Sequence, residues 1–126
     1  MTLVFHPDGM LMTHWGTRDF VHAPSKEKVY RLVANLTRFY REKAKKYLFA
    51  GRMVAARPVA CETLYVPSAK SQRPDIPIPE VLSTAWEGEG GERVQIVVNP
   101  LDHAVCCTVG KETVTVPPLD AVMIAL

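Results

Sequence analysis

The stretch RVQIVVNPLDHAVCCTVGKETVTVPPLDAVMIAL, residues 93–126, decides the fold. Its opening residues alternate, with Val94, Ile96 and Val98 on one face and Arg93, Gln95 and Asn99 on the other. That period of two belongs to a strand. Asn99-Pro100-Leu101-Asp102 carries strong turn chemistry. AVCCTV then runs back, with Val105, Cys107 and Val109 sharing a face, and Gly110-Lys111 suits a two-residue hairpin turn. TVTV follows, Pro117-Pro118 ends the ladder because proline cannot donate to it, and AVMIAL closes with Val122, Ile124 and Leu126 on one face. Upstream, VLSTAWE is a further strand ended by the turn GEGGE. Short strands joined by turns, with no helix between them, predict an antiparallel sheet or sandwich.

His103, Cys106 and Cys107 also carry the letters of a metal or redox site. A zinc site wants four ligands, often as C-x-x-C pairs. Here two cysteines are adjacent, so a strand would point them to opposite faces, and Cys61 is far off in sequence. His103 beside the turn is expected to be exposed. Cysteine behaves more often as a small buried apolar residue than as a ligand. No metal and no cofactor is therefore assigned.

A chain of 126 residues fits one domain able to bury a substantial core. Hydrophobic residues are 48% and charged residues 22%, the balance of an ordinary globular chain. The net charge of +2 is too small to imply a nucleic-acid partner, and no apolar run is long enough to imply a membrane span. MTLVFHPDGMLM lacks a basic leader and a long apolar centre. The expectation is a cytoplasmic chain whose three cysteines are reduced.

Residues 25–49 are the clear helix. Val29, Leu32, Val33, Leu36, Phe39, Tyr40, Ala44, Tyr47 and Leu48 recur at helical spacing. Ser25 suits the N-cap, and Gly51 lies where a left-handed cap commonly ends a helix. The basic residues Lys26, Lys28, Arg31, Arg38, Arg41, Lys43, Lys45 and Lys46 outnumber Glu27 and Glu42. A nucleic-acid contact would need stacking rings on that basic face. The aromatics lie on the apolar stripe instead, so the basic face reads as solvated. GRMVAARPVACETLYVP reads as two strands interrupted near Arg57-Pro58. Residues 67–80, with four of the ten prolines, read as a long exposed loop or extended crossing.

MTLVF reads as a short extended segment. Next to it, His14, Trp15, Arg18 and Asp19 cluster in sequence. A tryptophan face beside polar groups can stack on a sugar ring and bond its hydroxyls. His14, Trp15 and Asp19 are thus the candidate carbohydrate-binding residues, against the plainer reading of a turn with an ion pair. Glycoside hydrolysis needs two acids at a set separation. Only Asp8 and Asp19 offer themselves here, and nothing in the sequence joins them, so no catalytic residue is assigned.

The order of elements resembles the C-terminal end of bacterial (β/α)8-barrel glycoside hydrolases of the α-amylase or α-galactosidase kind. The resemblance rests on the helix leading through YLFAGRMV to strands. It also rests on Ala85-Trp86 before the glycine turn, Val97-Val98-Asn99-Pro100 at a strand end, and Val116-Pro117-Pro118-Leu119 before the last strand. It covers roughly residues 25–126. It implies a last barrel helix followed by an antiparallel β-sandwich. The barrel itself would need about 250 residues, and its catalytic acids would lie upstream.

The sequence therefore predicts a mainly β chain: an antiparallel β-sandwich over residues 50–126, preceded over residues 1–49 by a short extended segment and one long helix. The expected role is a non-catalytic, structural or accessory one beside a carbohydrate-active barrel. The alternative is an independent sandwich that binds a carbohydrate or a protein. An apolar helix stripe at Leu32, Leu36 and Phe39, if uncovered, would drive self-association.

Overall fold

The computed structural model describes residues 2–5, 11–14, 26–67 and 74–126. Strands β1 (Thr2–Phe5) and β2 (Leu11–His14) form an antiparallel pair with Thr2 opposite His14. The helical segment follows as α1 (Glu27–Phe39), a π-helical turn (Tyr40–Ala44) and α2 (Lys45–Leu48). Nine strands complete the described chain: β3 (Arg52–Val54), β4 (Val59–Ala60), β5 (Thr63–Val66), β6 (Ile76–Pro79), β7 (Leu82–Glu87), β8 (Arg93–Asn99), β9 (Val105–Val109), β10 (Glu112–Val116) and β11 (Asp120–Ala125). Every described strand pairing is antiparallel. The chain is mainly β, as its patterning predicts.

One sheet has the order β11-β8-β7-β3, and a second has the order β10-β9-β4. The helix covers one face of the four-stranded sheet: Leu32, Leu36, Phe39, Tyr40 and Ala44 pack with Ile96, Leu119 and Ala121. The opposite face meets the three-stranded sheet, where Val97, Val105, Cys107, Val109 and Val116 form a second cluster. The described core is thus helix, sheet, sheet. Each large apolar side chain buried there contributes about 1.5–3 kcal/mol.

This layering alters the expected reading of β8. Gln95 and Asn99, on what looks like the polar face, are fully buried between the sheets. They persist there because their hydrogen bonds are made. The Gln95 side chain pairs with the Arg57 backbone in both directions, accepting its N–H at 2.8 Å and donating to its carbonyl at 2.9 Å. It also donates to Ser83 Oγ at 2.8 Å. Asn99 Oδ1 accepts the Leu101 N–H at 2.9 Å, closing the turn, while Nδ2 donates to the carbonyl of His103 at 2.8 Å.

The helix also departs from a regular stripe. The Lys45 N–H donates to the Tyr40 carbonyl, five residues back. At ~100° per residue, Ala44 would drift roughly 80° from Leu36, and the wider turn keeps it on the buried side. Gly51 is not a left-handed cap. A Cβ there would stand 2.4 Å from the Glu87 carbonyl and 2.5 Å from that of Tyr47, so close approach of the helix end to β7 requires glycine. Besides Gly91 and Gly110, a left-handed backbone among the described residues occurs at Leu119, at φ 52, after Pro117-Pro118. That conformation costs about 1–2 kcal/mol for a leucine. Burial of its side chain and two bonds offset the cost: its N–H donates to Leu101 and its carbonyl accepts from Asn35 Nδ2, both at 2.8 Å.

The proline-rich run is not all loop. Ile76–Pro79 is β6, paired with β5 as Leu64 opposite Ile78 and Val66 opposite Ile76. The Glu80 N–H donates to the Glu62 carbonyl at 3.0 Å. This places Pro77 and Pro79 at positions whose nitrogens point away from β5, where a missing donor costs nothing.

Candidate functional site

Between the helix and the four-stranded sheet lies an apolar cleft of about 180 Å³. Leu36, Phe39 and Leu48 form its helical wall, and Ile96, Val98 and Ala121 its floor, with Leu82 and Thr84 at the β7 side. Leu82 is 56% exposed at this edge. The Thr84 hydroxyl accepts the Trp86 indole N–H at 2.9 Å, so the two polar groups satisfy one another. A cleft of this chemistry can take an apolar side chain or group; it carries no proton-transfer machinery.

Strands β5 and β6 form a separate two-stranded arm. One face carries the aliphatic row Leu64, Val66, Ile76 and Ile78, and the other carries Tyr65 beside Pro77 and Pro79. Tyr65 is 67% exposed and Ile76 52%. The arm is clamped at its base, where Glu80 Oε2 accepts the Glu62 N–H at 3.2 Å. An apolar two-stranded ribbon is marginal in water by itself and is suited to packing on something else.

The polar cluster at the other end of β7 is locked by charge. Arg52 Nε donates to Glu87 Oε2 at 2.7 Å, and Arg93 Nε reaches Oε1 at 3.4 Å. The Arg52 hydrogen bond, reinforced by the charges of Arg52 and Arg93 and partly opposed by burial, holds the Glu87 carboxyl below the usual glutamate range. Glu87 therefore stays ionised at neutral pH and is unsuited to act as a proton donor. Asp102 is likewise held down, first by its bond from Lys28 and then by His103. The Lys28–Asp102 pair ties α1 to the turn after β8.

Of the candidate carbohydrate-binding residues, His14 sits at the end of β2, opposite Thr2. Trp15 and Asp19 lie outside the described residues, as do Asp8, Arg18 and Ser25. His103 and Cys106 are exposed, while Cys107 is buried, consistent with alternate faces of a strand. Among the described residues, no three His, Cys, Asp or Glu side chains converge as a metal site, and no helix is long and apolar enough to cross a membrane. Strand β5 falls within the strand-like run that ends at Val66, whereas its partner β6 is masked in the sequence by the prolines at 77 and 79. Ile76 and Ile78, alternating with those prolines, are the available signal.

Comparison with protein-family models, with curated proteins and with solved structures found no match to this chain.

Proposed function

We propose that this chain is a non-catalytic β-sandwich portion of a glycoside-hydrolase-like protein, with an accessory role beside a carbohydrate-active barrel. The observation that carries the reading is the distribution of apolar surface. Val66, Ile76 and Ile78 of the arm and Leu82 are left open, while Glu87 is fixed between two arginines. A surface of that kind fits a protein neighbour better than a polar sugar. The resemblance of the element order and short motifs to those of barrel glycosidases supports the choice of neighbour.

The second reading, an independent binding module, is favoured by one fact. Leu32, Leu36 and Phe39 are covered by the chain's own sheet, so the helix needs no barrel to complete its packing. Two measurements separate the readings. The purified chain is expected to leave aryl glycosides intact and to run unretarded through polysaccharide gels. Antibody capture from the native source is expected to bring down aryl-glycosidase activity with it. Retardation by a polysaccharide that disappears in Trp15→Ala would support the binding module. Turnover by the pure chain that disappears in Asp19→Asn would overturn both.

A further inference from the structure

Strand β4 pairs with β9 as Val59 opposite Val109 and Ala60 opposite Thr108. The ladder ends at Ala60; continued one residue past it, the same register would bring Cys61 opposite Cys107, and the packing of Cys61 against the cluster that holds Cys107 agrees with that placement. The bonding pattern fixes the type of position. The Gly110 N–H donates to the Pro58 carbonyl at 2.9 Å, which makes 58/110 a hydrogen-bonded position. Positions then alternate, so 60/108 is hydrogen-bonded, and 59/109 and 61/107 are not. Opposed Cα atoms at such non-hydrogen-bonded positions approach to about 4.5 Å with their side chains close. Disulfides accept Cα separations of about 4.4–6.8 Å. Both thiols also face the same way: Cys107 is part of the inter-sheet cluster, and the half-buried Cys61 packs against that cluster. Cys106 points to the opposite, exposed face.

We propose that Cys61 and Cys107 form a cross-strand dithiol that closes to an intramolecular disulfide on exchange with a low-molecular-weight disulfide such as glutathione disulfide. The more accessible Cys61 thiolate attacks one sulfur of the reagent and expels one glutathione thiolate, which takes up a proton. Cys107 then loses its proton, attacks Sγ of Cys61 and expels the second glutathione. Two cysteine thiols are oxidised, one glutathione disulfide is reduced to two thiols, and the protons balance. Burial, which raises the Cys107 thiol above its ordinary range, makes the second step the slower one.

The consequence is local. Cys61 directly precedes Glu62, whose backbone is bonded to Glu80 at the base of the arm. The closed bond anchors that base to the centre of the three-stranded sheet. This inference rests on register and does not depend on the accessory role proposed above.

The test uses the full chain, incubated with glutathione disulfide and then counted for thiols in denaturant. The expected count falls from three to one where the exposed Cys106 stays free and to none where it takes up glutathione, and non-reducing peptide mapping finds the 61–107 link in both. Non-reducing peptide mapping of the exposed-site variant Cys106→Ser is expected to show the same 61–107 link, with no thiol remaining. Cys61→Ser, at the half-buried position, is expected to lose the link. A link that vanishes in Cys106→Ser would overturn the assignment. So would glutathione adducts or disulfide-linked dimers forming without any internal link.

Discussion

Strand β8 and the β5–β6 arm are similarly rich in branched apolar residues and have opposite fates. β8 lies between two strands and between two layers, so even Gln95 and Asn99 are removed from water. Among the described residues each arm strand pairs only with the other, and Val66, Ile76 and Ile78 are exposed. Composition does not separate them. What separates them is the number of neighbours each strand gains, and hence where a polar group must be satisfied and where an apolar one is left over.

The contrast is sharpened first on the helix side of β8. Phe39 shares the cleft with Ile96 and is nearly fully covered. Phe39→Ala is expected to lower unfolding free energy by about 3–5 kcal/mol in urea titrations, with an unchanged sedimentation coefficient. A small loss accompanied by weaker self-association would mean the helix face packs against another molecule instead.

A smaller effect is expected on the other side of the same strand. Gln95→Ala removes both bonds to the Arg57 backbone and the bond to Ser83, leaving part-buried groups unpaired. The expected cost is about 1–3 kcal/mol. Hydrogen exchange at the Arg57 amide should speed up before that of β8 itself. An unchanged Arg57 amide would show that Gln95 does not hold this crossing.

The least effect belongs to the arm. Ile78→Ala is expected to change stability by less than about 0.5 kcal/mol, as for other exposed sites. A loss above about 2 kcal/mol would erase the distinction between the two regions, because it would show the aliphatic row already covered.

The strands from Leu82 onward are legible in the sequence because each alternates and each is bounded by a glycine or proline turn. The helix is legible because its stripe holds period across some six turns. Three features are not. The burial of Gln95 and Asn99 depends on a second sheet, which no local pattern announces. The π turn at Tyr40–Ala44 uses residues that suit an α-helix equally well. β6 is hidden by Pro77 and Pro79, which are tolerable only because both nitrogens point outward. For the candidate surface, the apolar helix wall of the cleft could be read directly from spacing. The exposure of Leu82 and of the arm could not, since spacing says which residues share a face and not what covers it.

The bond from Asn35 to the Leu119 carbonyl spans 84 residues of chain. The helix it begins in can wind within microseconds from local contacts alone. Its apolar side cannot be quenched that quickly, because Leu119 and Ala121 arrive only when nearly the whole intervening chain has been looped back. Folding speed is therefore set by long-range closure and not by the helix, despite the helix's strong local signal. Until closure, the chain carries a ready-made greasy ridge with nothing to shelter it. Dilution during refolding should thus matter more to yield than helix propensity does.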